Sequence, residues 1–440
     1  EVRGRAAELI RELGPDAGGG VEGVRKALVR SVEAGAPEPG LVRAFAALGP
    51  RAVAAAFEVL ERVPVGSLKP DHWALEVLRR TDIASLTPLM ASLEHPAASV
   101  RVGGLEGLTA LGDRARAAAK KLPGVLEDRE GEVRVRAWVA AGACGVAPEL
   151  LMGRLEAGLN DPVPAVRRAV VMGLARLGKL AKPAVPKLME AMGSGDAELE
   201  RASIRALGAM GSEAAVAAGA LVAKAGSVAP EVQVEVLSTL GAIGSAAAAE
   251  MGPLWGLGDA SHRGVRLAFL DAVASFQAAG KPALPSVDRG LADADPDVRA
   301  AAVRARIAVD EGSEESVQAA VRALEDADGR VRRAAAAALG RLEERGRPGE
   351  ARLFALLADP SDRTSARDAL RAIHPTSVSA LLSALEHDDW GVREMAADAL
   401  ARLGKRAEEA LGALEKRSRE DRYEEVKRAA RRALRRIREG

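Results

Sequence analysis

The sequence predicts an all-α protein, a right-handed α-solenoid (superhelix) of about 14 helix pairs with a period near 33 residues. Three observations predict it: a dipeptide that returns every 33 residues, an apolar pattern of helical period behind each return, and Gly or Asp-rich turns between the helices. Length agrees, because 440 residues exceed one ordinary core and require either several domains or an extended array. Apolar residues make up 48% of the chain and aromatic residues only 2%, so the interior must be filled by Ala, Leu, Val and Gly. Side chains this small suit helices that approach closely.

The dipeptide Val-Arg recurs at Val100-Arg101, Val133-Arg134, Val166-Arg167, Val265-Arg266, Val298-Arg299 and Val331-Arg332, with gaps of 33 residues or multiples of it. The two missing beats are Leu199-Glu200 and Val232-Gln233, which keep the apolar residue and change only the charge. With Val as position 0, Leu108, Leu174, Leu207, Leu240, Val273 and Leu339 stand at +8, and Leu111, Leu177, Met210, Ile243 and Leu342 at +11. Positions 0, +4, +8 and +11 share one face of an α-helix. Gly112, Gly178, Gly211 and Gly244 follow at +12, where a helix ends in a left-handed turn. We call these the marker helices. Between them lies an intervening helix, opened by Pro near its first turn in Lys182-Pro183-Ala184-Val185-Pro186 and Lys281-Pro282-Ala283-Leu284-Pro285. It closes in turns such as Asp161-Pro162 or Asp293 to Asp297, so each unit reads helix, turn, helix, with no strand.

The run Asp-x-Asp-Pro-Asp-Val-Arg-x-Ala-Ala at 293–302, with Leu-Gly closures elsewhere, resembles the HEAT repeat in its short bacterial, phycobilisome-lyase-like form. The resemblance covers about 65–440 strongly and the first 64 residues more weakly, and it implies an armadillo-like helical array rather than any one activity. The chain then divides into degenerate N-terminal repeats at 1–64, a regular array at 65–404 and a capping repeat at 405–440. After Val331 the markers are Asp362-Arg363, Val392-Arg393 and Val426-Lys427, at spacings of 31, 30 and 34, which imply altered turns. Before Val100 the marker falls at Ser67 or Pro70. In the last helix Lys427, Arg428, Arg431, Arg432, Arg435 and Arg436 surround Val426, Ala430, Leu434 and Ile437, the pattern expected of a polar cap. At the other end Val2-Arg3, Ile10, Leu13 and Gly14 match positions 0, +1, +8, +11 and +12. The chain is therefore expected to begin on the marker helix of a repeat whose first helix is missing, with further residues before Glu1 and a place in a larger assembly.

Composition limits the chemistry. The formal charge of +1, from 63 basic and 62 acidic residues, gives no field to gather nucleic acid or anionic membrane over the whole surface. The single Cys144 excludes an intramolecular disulfide and any multi-cysteine metal site, and its +11 position places it in the core, inert. No run of eighteen apolar residues occurs, the longest candidate being Ala214 to Ala223, ended by Lys224, so no membrane span is expected.

Several features have a functional and a structural reading. Leu105, Trp138, Val171, Ile204, Leu237, Leu270 and Val303 form an apolar stripe at +5, either the lining of a groove or, preferably, the seam between adjacent marker helices. Arg101, Arg134, Arg167, Arg266, Arg299, Arg332 and Arg393 at +1 are either a phosphate track or, preferably, a structural ladder to Asp128, Asp161, Asp293 and Asp326, five residues before each Val. Residues 405–440 carry 13 Lys and Arg against 8 Asp and Glu, a solvated cap or a dock for an anionic partner. Candidate partner-binding residues are Trp390, beside Asp388 and Asp389, with Arg428, Arg432, Arg435 and Arg436. HEAT-like enzymes of the deoxyhypusine hydroxylase type use His-Glu pairs as iron ligands, whereas this chain has only the reversed Glu94-His95 and Glu386-His387 among five histidines. No Gly-x-Ser-x-Gly elbow or phosphate-binding Gly-x-x-x-x-Gly-Lys-Ser/Thr motif is present, and no catalytic residue, metal or cofactor is expected.

The leading expectation is a non-catalytic scaffold that binds protein partners. The alternatives are a nucleic-acid-binding protein resembling HEAT-like DNA-repair glycosylases, which would need a basic concave face with aromatic residues, and a bilin-lyase-like accessory protein that cradles a tetrapyrrole.

Overall fold

The 0 and +1 residues that define each repeat, Val-Arg in seven of them, sit at or near the start of eleven marker helices. They are α1 (Ala98–Leu111), α2 (Gly131–Ala143), α3 (Pro164–Leu177), α4 (Ala197–Met210), α5 (Pro230–Ile243), α6 (Arg263–Phe276), α7 (Pro296–Val309), α8 (Gly329–Arg341), α9 (Arg363–Ile373), α10 (Trp390–Leu403) and α11 (Glu424–Glu439). The computed structural model describes residues 42, 43 and 46–439, and over these the chain is an all-α solenoid with no strand. The reading of Val2-Arg3, Ile10, Leu13 and Gly14 lies outside the described residues. Two compact units meet in sequence at Ala220 and Leu221, so α1 to α4 belong to the first and α5 to α11 to the second.

Apolar periodicity determines how the helices pack within each unit. The position 0 valines of α1, α2, α3, α6, α7, α8, α10 and α11 are all buried. So is every member of the +5 stripe, from Leu105 to Val303, which therefore lines no open groove. A buried aliphatic side chain contributes about 1.5–3 kcal/mol, and each repeat gains it only against its neighbours. Glycine sets the closest approach in this seam. A Cβ on Gly142, at +9 of α2, would lie 2.3 Å from the Gly173 carbonyl oxygen of α3. Gly241 faces Ala272, and Gly340 faces Ala369, in the same +9 to +7 register.

Two details depart from the expected unit. The intervening helices are short and several are preceded by a 3-10 segment, as in Gly178–Ala184 before Val185–Ala191 and Gln277–Ala283 before Leu284–Gly290. Pro183 and Pro282 lie inside these segments, where a missing N–H favours a tightened turn over a continuous α-helix. Position +12 does take positive φ in Gly112, Gly145, Gly178, Gly211, Gly244 and Gly404. With ψ of −129° at Gly178 and −136° at Gly211, however, the backbone is in a region open essentially to glycine rather than in the left-handed helical basin.

The expectation of no membrane span needs qualifying. Ala197–Ala225 and Pro230–Glu250 are long and apolar enough to cross a membrane by length and composition. Each contains a 14-residue α-helix that stops at Gly211 or Gly244. Such a helix is about 21 Å long, short of a hydrocarbon core of about 30 Å, so both stretches are explained as repeat helices followed by 3-10 segments.

Candidate binding surfaces

The marker arginines join consecutive turns. An Asp five residues before the next Val lies 27 residues beyond the Arg when the repeat is 33 long, and that offset recurs. Arg101 donates from Nε and Nη2 to Asp128 at 2.8 Å each, Arg134 to Asp161 at 2.7 and 2.9 Å, and Arg299 to Asp326 at 2.8 Å each. Arg266 grips Asp293 in the same way, and Arg393 grips Asp421 across 28 residues, the offset a 34-residue spacing requires. The remaining Nη1 donates to carbonyls of the arginine's own turn, as from Arg101 to His95 and Pro96 and from Arg299 to Asp293. Each guanidinium thus joins its own turn to the following one. Each carboxylate also accepts the N–H two residues on, as Asp128 does from Glu130 and Asp326 from Asp328.

Where the register changes, the rungs change with it. Ser194 stands five before Leu199, and Arg167 reaches two residues further to Asp196 at 2.8 Å. Leu357 stands five before Asp362, and Arg332 divides between Asp362 at 2.5 Å and Asp359 at 3.2 Å. His95 and His387 occupy the Asp position themselves, and their Nδ1 atoms accept the N–H of Ala97 and Asp389. Arg363 therefore meets no carboxylate in the next turn and donates to the Leu357 carbonyl, which also lies 3.1 Å from His387 Nε2. These two histidines complete turns. Among the described residues no group of His, Cys, Asp and Glu side chains is arranged to hold a metal.

The ladder is electrostatically tuned. The Arg299 guanidinium holds the Asp326 carboxyl below its ordinary range, outweighing burial. Arg167 does the same to Asp196. At Asp161 burial pushes upward, but the Arg134 fork and the Val163 N–H together keep the carboxyl low. Cys144 is buried, and burial pushes its thiol up to about 12, so it is held as the unreactive thiol.

With one flank in the seam and the turn ends in the ladder, positions +6 and +10 of the marker helices remain for contact, whereas +2 is buried at Val102, Val135 and Ala300 and +9 at Gly142 and Ile307. In the first unit Met172 of α3, 51% exposed, stands beside Ala175 and the half-buried Val139 and Ala143 of α2, with Arg168 and Arg176 one helical turn to either side of it. In the second unit the face is more polar, with Asp271 of α6 receiving Arg304 of α7 at 3.1 Å.

Two features of the second unit break the sequence pattern. Arg306 occupies the +8 position that elsewhere holds an aliphatic residue, and it is buried. Its guanidinium is held by Asp288 at 2.9 Å, Asp310 at 3.1 Å and Ser316 Oγ at 2.6 Å. Beyond it, a cavity of about 340 Å³ opens among Gln277, Lys281, Asp310, Glu311 and Arg341. The connection from Val309 to Glu314 lacks the 3-10 segment found after α6 and α8, which leaves this space. Gln277 takes φ 51° and ψ −138°, close to the conformation of Gly178 and Gly211 at the same +12 position, and Glu343 at +12 of α8 also has a positive φ of 50°. A second cavity, about 280 Å³, lies between α9 and α10, lined by Arg371, Glu394, Met395, Asp398, Ala399 and Arg402.

The candidate partner residues cluster at α10 and α11. Trp390 opens α10, is 39% exposed, and stacks on Tyr423 with ring centroids 5.7 Å apart, while Arg393 and Arg422 each stand 5.9 Å from the Tyr423 ring centre. Arg428, Arg432, Arg435 and Arg436 occupy +2, +6, +9 and +10 of α11, all exposed. Arg432 and Arg436 are on the contact face, Arg428 borders it at +2, Arg435 at +9 is on the side that other marker helices turn toward the next repeat, and Trp390 stands at the N-terminal end of α10. Arg431 and Arg438 instead fold back to α11's own intervening helix, Arg431 to the Ser418 carbonyl and Arg438 to Glu415.

HEAT repeats match residues 151–218, 285–373 and 350–435. No curated protein matches the chain. Among solved structures, one of Kap95p binding RanGDP is similar with a TM-score of 0.50 at 13% identity, over 90% of this chain and 62% of that one. The karyopherin Kap121p bound to the C-terminus of the protein phosphatase Cdc14p gives 0.46 at 13% identity, over 90% of this chain and 49% of that one. This chain therefore spans about half of the Kap121p chain. An engineered protein gives 0.37 at 20% identity, over 91% of this chain and 99% of its own. At such identities a likeness bears on the fold alone. The matched repeats, the 33-residue register and the stacked helix pairs agree: the chain is a HEAT-repeat protein.

Proposed function

We propose that this HEAT-repeat chain is a non-catalytic scaffold that binds protein partners along the contact face of its marker helices. The observation that carries the reading is the surface around Met172. A large apolar side chain stands 51% exposed among the small or partly buried Val139, Ala143 and Ala175, with Arg168 and Arg176 a helical turn away on either side. Exposed apolar anchors on a rigid helical surface are what protein interfaces use, and a long array offers many such positions without moving parts. The titratable groups with displaced ionisation support the same reading, because Asp161, Asp196, Asp326 and Asp421 are turn-holding carboxylates in ion pairs rather than members of an acid–base constellation.

A nucleic-acid-binding role is disfavoured by Glu394 and Asp398 on the contact face beside the basic helix and by the lack of aromatic side chains along that face. A bilin-lyase-like role rests on the motif subtype and on no feature of the surface. Affinity capture with chemical cross-linking from an extract of the source cells tests the proposal. The wild-type chain is expected to retain one or more proteins, and Met172→Glu to reduce that yield several-fold with the helical content unchanged. Capture of no protein by the wild-type chain contradicts the reading.

A further inference from the structure

We infer that the contact face of α10 and α11 binds an acidic, extended segment of a partner protein, with one apolar side chain of that segment seated in the cavity between α9 and α10. The inference rests on the scaffold reading and adds the chemistry of what is bound.

Charge supports it first. On α11 the exposed positions +2, +6, +9 and +10 are all arginine, and among the described residues Arg435 and Arg436 have no carboxylate partner. Arg428 meets Glu425 at 3.4 Å and donates to the Glu424 carbonyl at 3.3 Å, with its side chain 62% exposed. Arg432 reaches Asp398 on α10 at 2.8 Å. Arg402 of α10 extends the same surface, donating only to the Arg371 carbonyl at 3.4 Å. Guanidinium groups fork onto carboxylates with two parallel bonds, so several in one row are fitted to successive Asp or Glu side chains.

Shape supports it second. The repeat spacing falls to 31 and 30 residues around α9, and α9, with 11 residues, is three shorter than α10. In the second unit α9 packs on α10 more sparsely than any other consecutive marker pair does. The resulting cavity of about 280 Å³ has buried Met395 and Ala399 at its floor and charged side chains at its mouth, Arg371 and Arg402 with Glu394 and Asp398. An apolar floor beneath a charged rim accepts a Leu or Met side chain whose flanking residues are acidic. Glu394 and Asp398 argue against a phosphodiester backbone, which carries charge at every unit and would meet both carboxylates. A peptide can place its one uncharged residue there.

The probe is a fluorescein-labelled peptide of Glu and Asp with one central Leu, titrated with the full chain and followed by anisotropy. Binding is expected to weaken with added salt and to fall by about tenfold or more in Arg428→Glu/Arg435→Glu/Arg436→Glu, whose exposed positions leave the circular dichroism spectrum unchanged. Replacing the peptide's Leu by Gly is expected to weaken binding several-fold in the wild-type chain. Absence of peptide binding, equal binding by the charge-reversed variant, or equally tight binding of a single-stranded oligonucleotide overturns the inference. Because this assay uses purified chain and peptide, its failure leaves the capture result at the Met172 face unaffected, and the two claims fall separately.

Discussion

Arg299 and Asp326 show how one residue pair ties a repeat to the next. The fork is only partly exposed, at 18% and 15% for the two side chains, and Arg299 also holds the Asp293 carbonyl of its own turn. Arg299→Ala removes both links and leaves Asp326 half-satisfied, with an expected loss of about 1–3 kcal/mol, measured by urea unfolding. Removing Asp326 as well is expected to cost less than the sum of the single changes. The pair also predicts a pH dependence. Asp326 ionises below its ordinary value in the folded chain, so its contribution is complete above the unfolded carboxylate value of about 4 and is lost as pH falls through the folded value. The urea midpoint of the wild-type chain is expected to drop more steeply between pH 5 and pH 2, roughly the carboxylate range, than that of Asp326→Asn. The existence of these rungs was legible because Arg and Asp stand in a fixed register. Their span was not, since an Asp five residues before a Val belongs equally to the arginine beside it and to the one before. The exceptions, His387 beside the unpaired turn of Arg363, follow once the 27-residue offset is known.

At the level of the helix, glycine decides spacing by position rather than by propensity. Gly142→Ala gains about 1 kcal/mol of helix propensity and must force a methyl group into the Gly173 backbone, where no rotamer offers relief. Overpacking of this kind costs about 1–3 kcal/mol, so net destabilisation is expected. Gly153, in the intervening helix Pro148–Leu159, has nothing within 4 Å of an added Cβ, and Gly153→Ala is expected to stabilise by about 0.5–1 kcal/mol. Thermal denaturation of the two variants beside wild type separates the cases by sign. The marker helices were legible from period and punctuation. The 3-10 segments were not, because their Ala, Lys and Pro content also suits the first turn of an α-helix. Arg306 carried a visible signal, an Arg at +8 in a column otherwise aliphatic or Ala141, with Asp288 and Asp310 near it in sequence. The cavity beside α9 was announced only by the 31 and 30 spacings, whose geometric effect depends on how the turns close.

Across each unit the same helices perform two tasks on two faces. Positions 0, +5, +8 and +9 build the seam, and positions +6 and +10 stay partly or fully open to solvent, so the stacking that stabilises the array also displays a surface along it. That division was foreseeable for the buried side, where apolar period is diagnostic. The exposed side follows no period, and its chemistry, apolar around Met172 and basic along α11, becomes meaningful only when residues 33 apart are brought side by side. The central claim is that this face, and not the intervening helices, receives partners. A photo-cross-linking side chain placed singly at Val139, Met172 or Arg176 on the contact face, and at Leu150 or Lys187 on the intervening helices, tests it in an extract of the source cells. The account predicts cross-linked protein partners from the first set and none from the second. Cross-links confined to Leu150 and Lys187, or absent from all five positions, would contradict it.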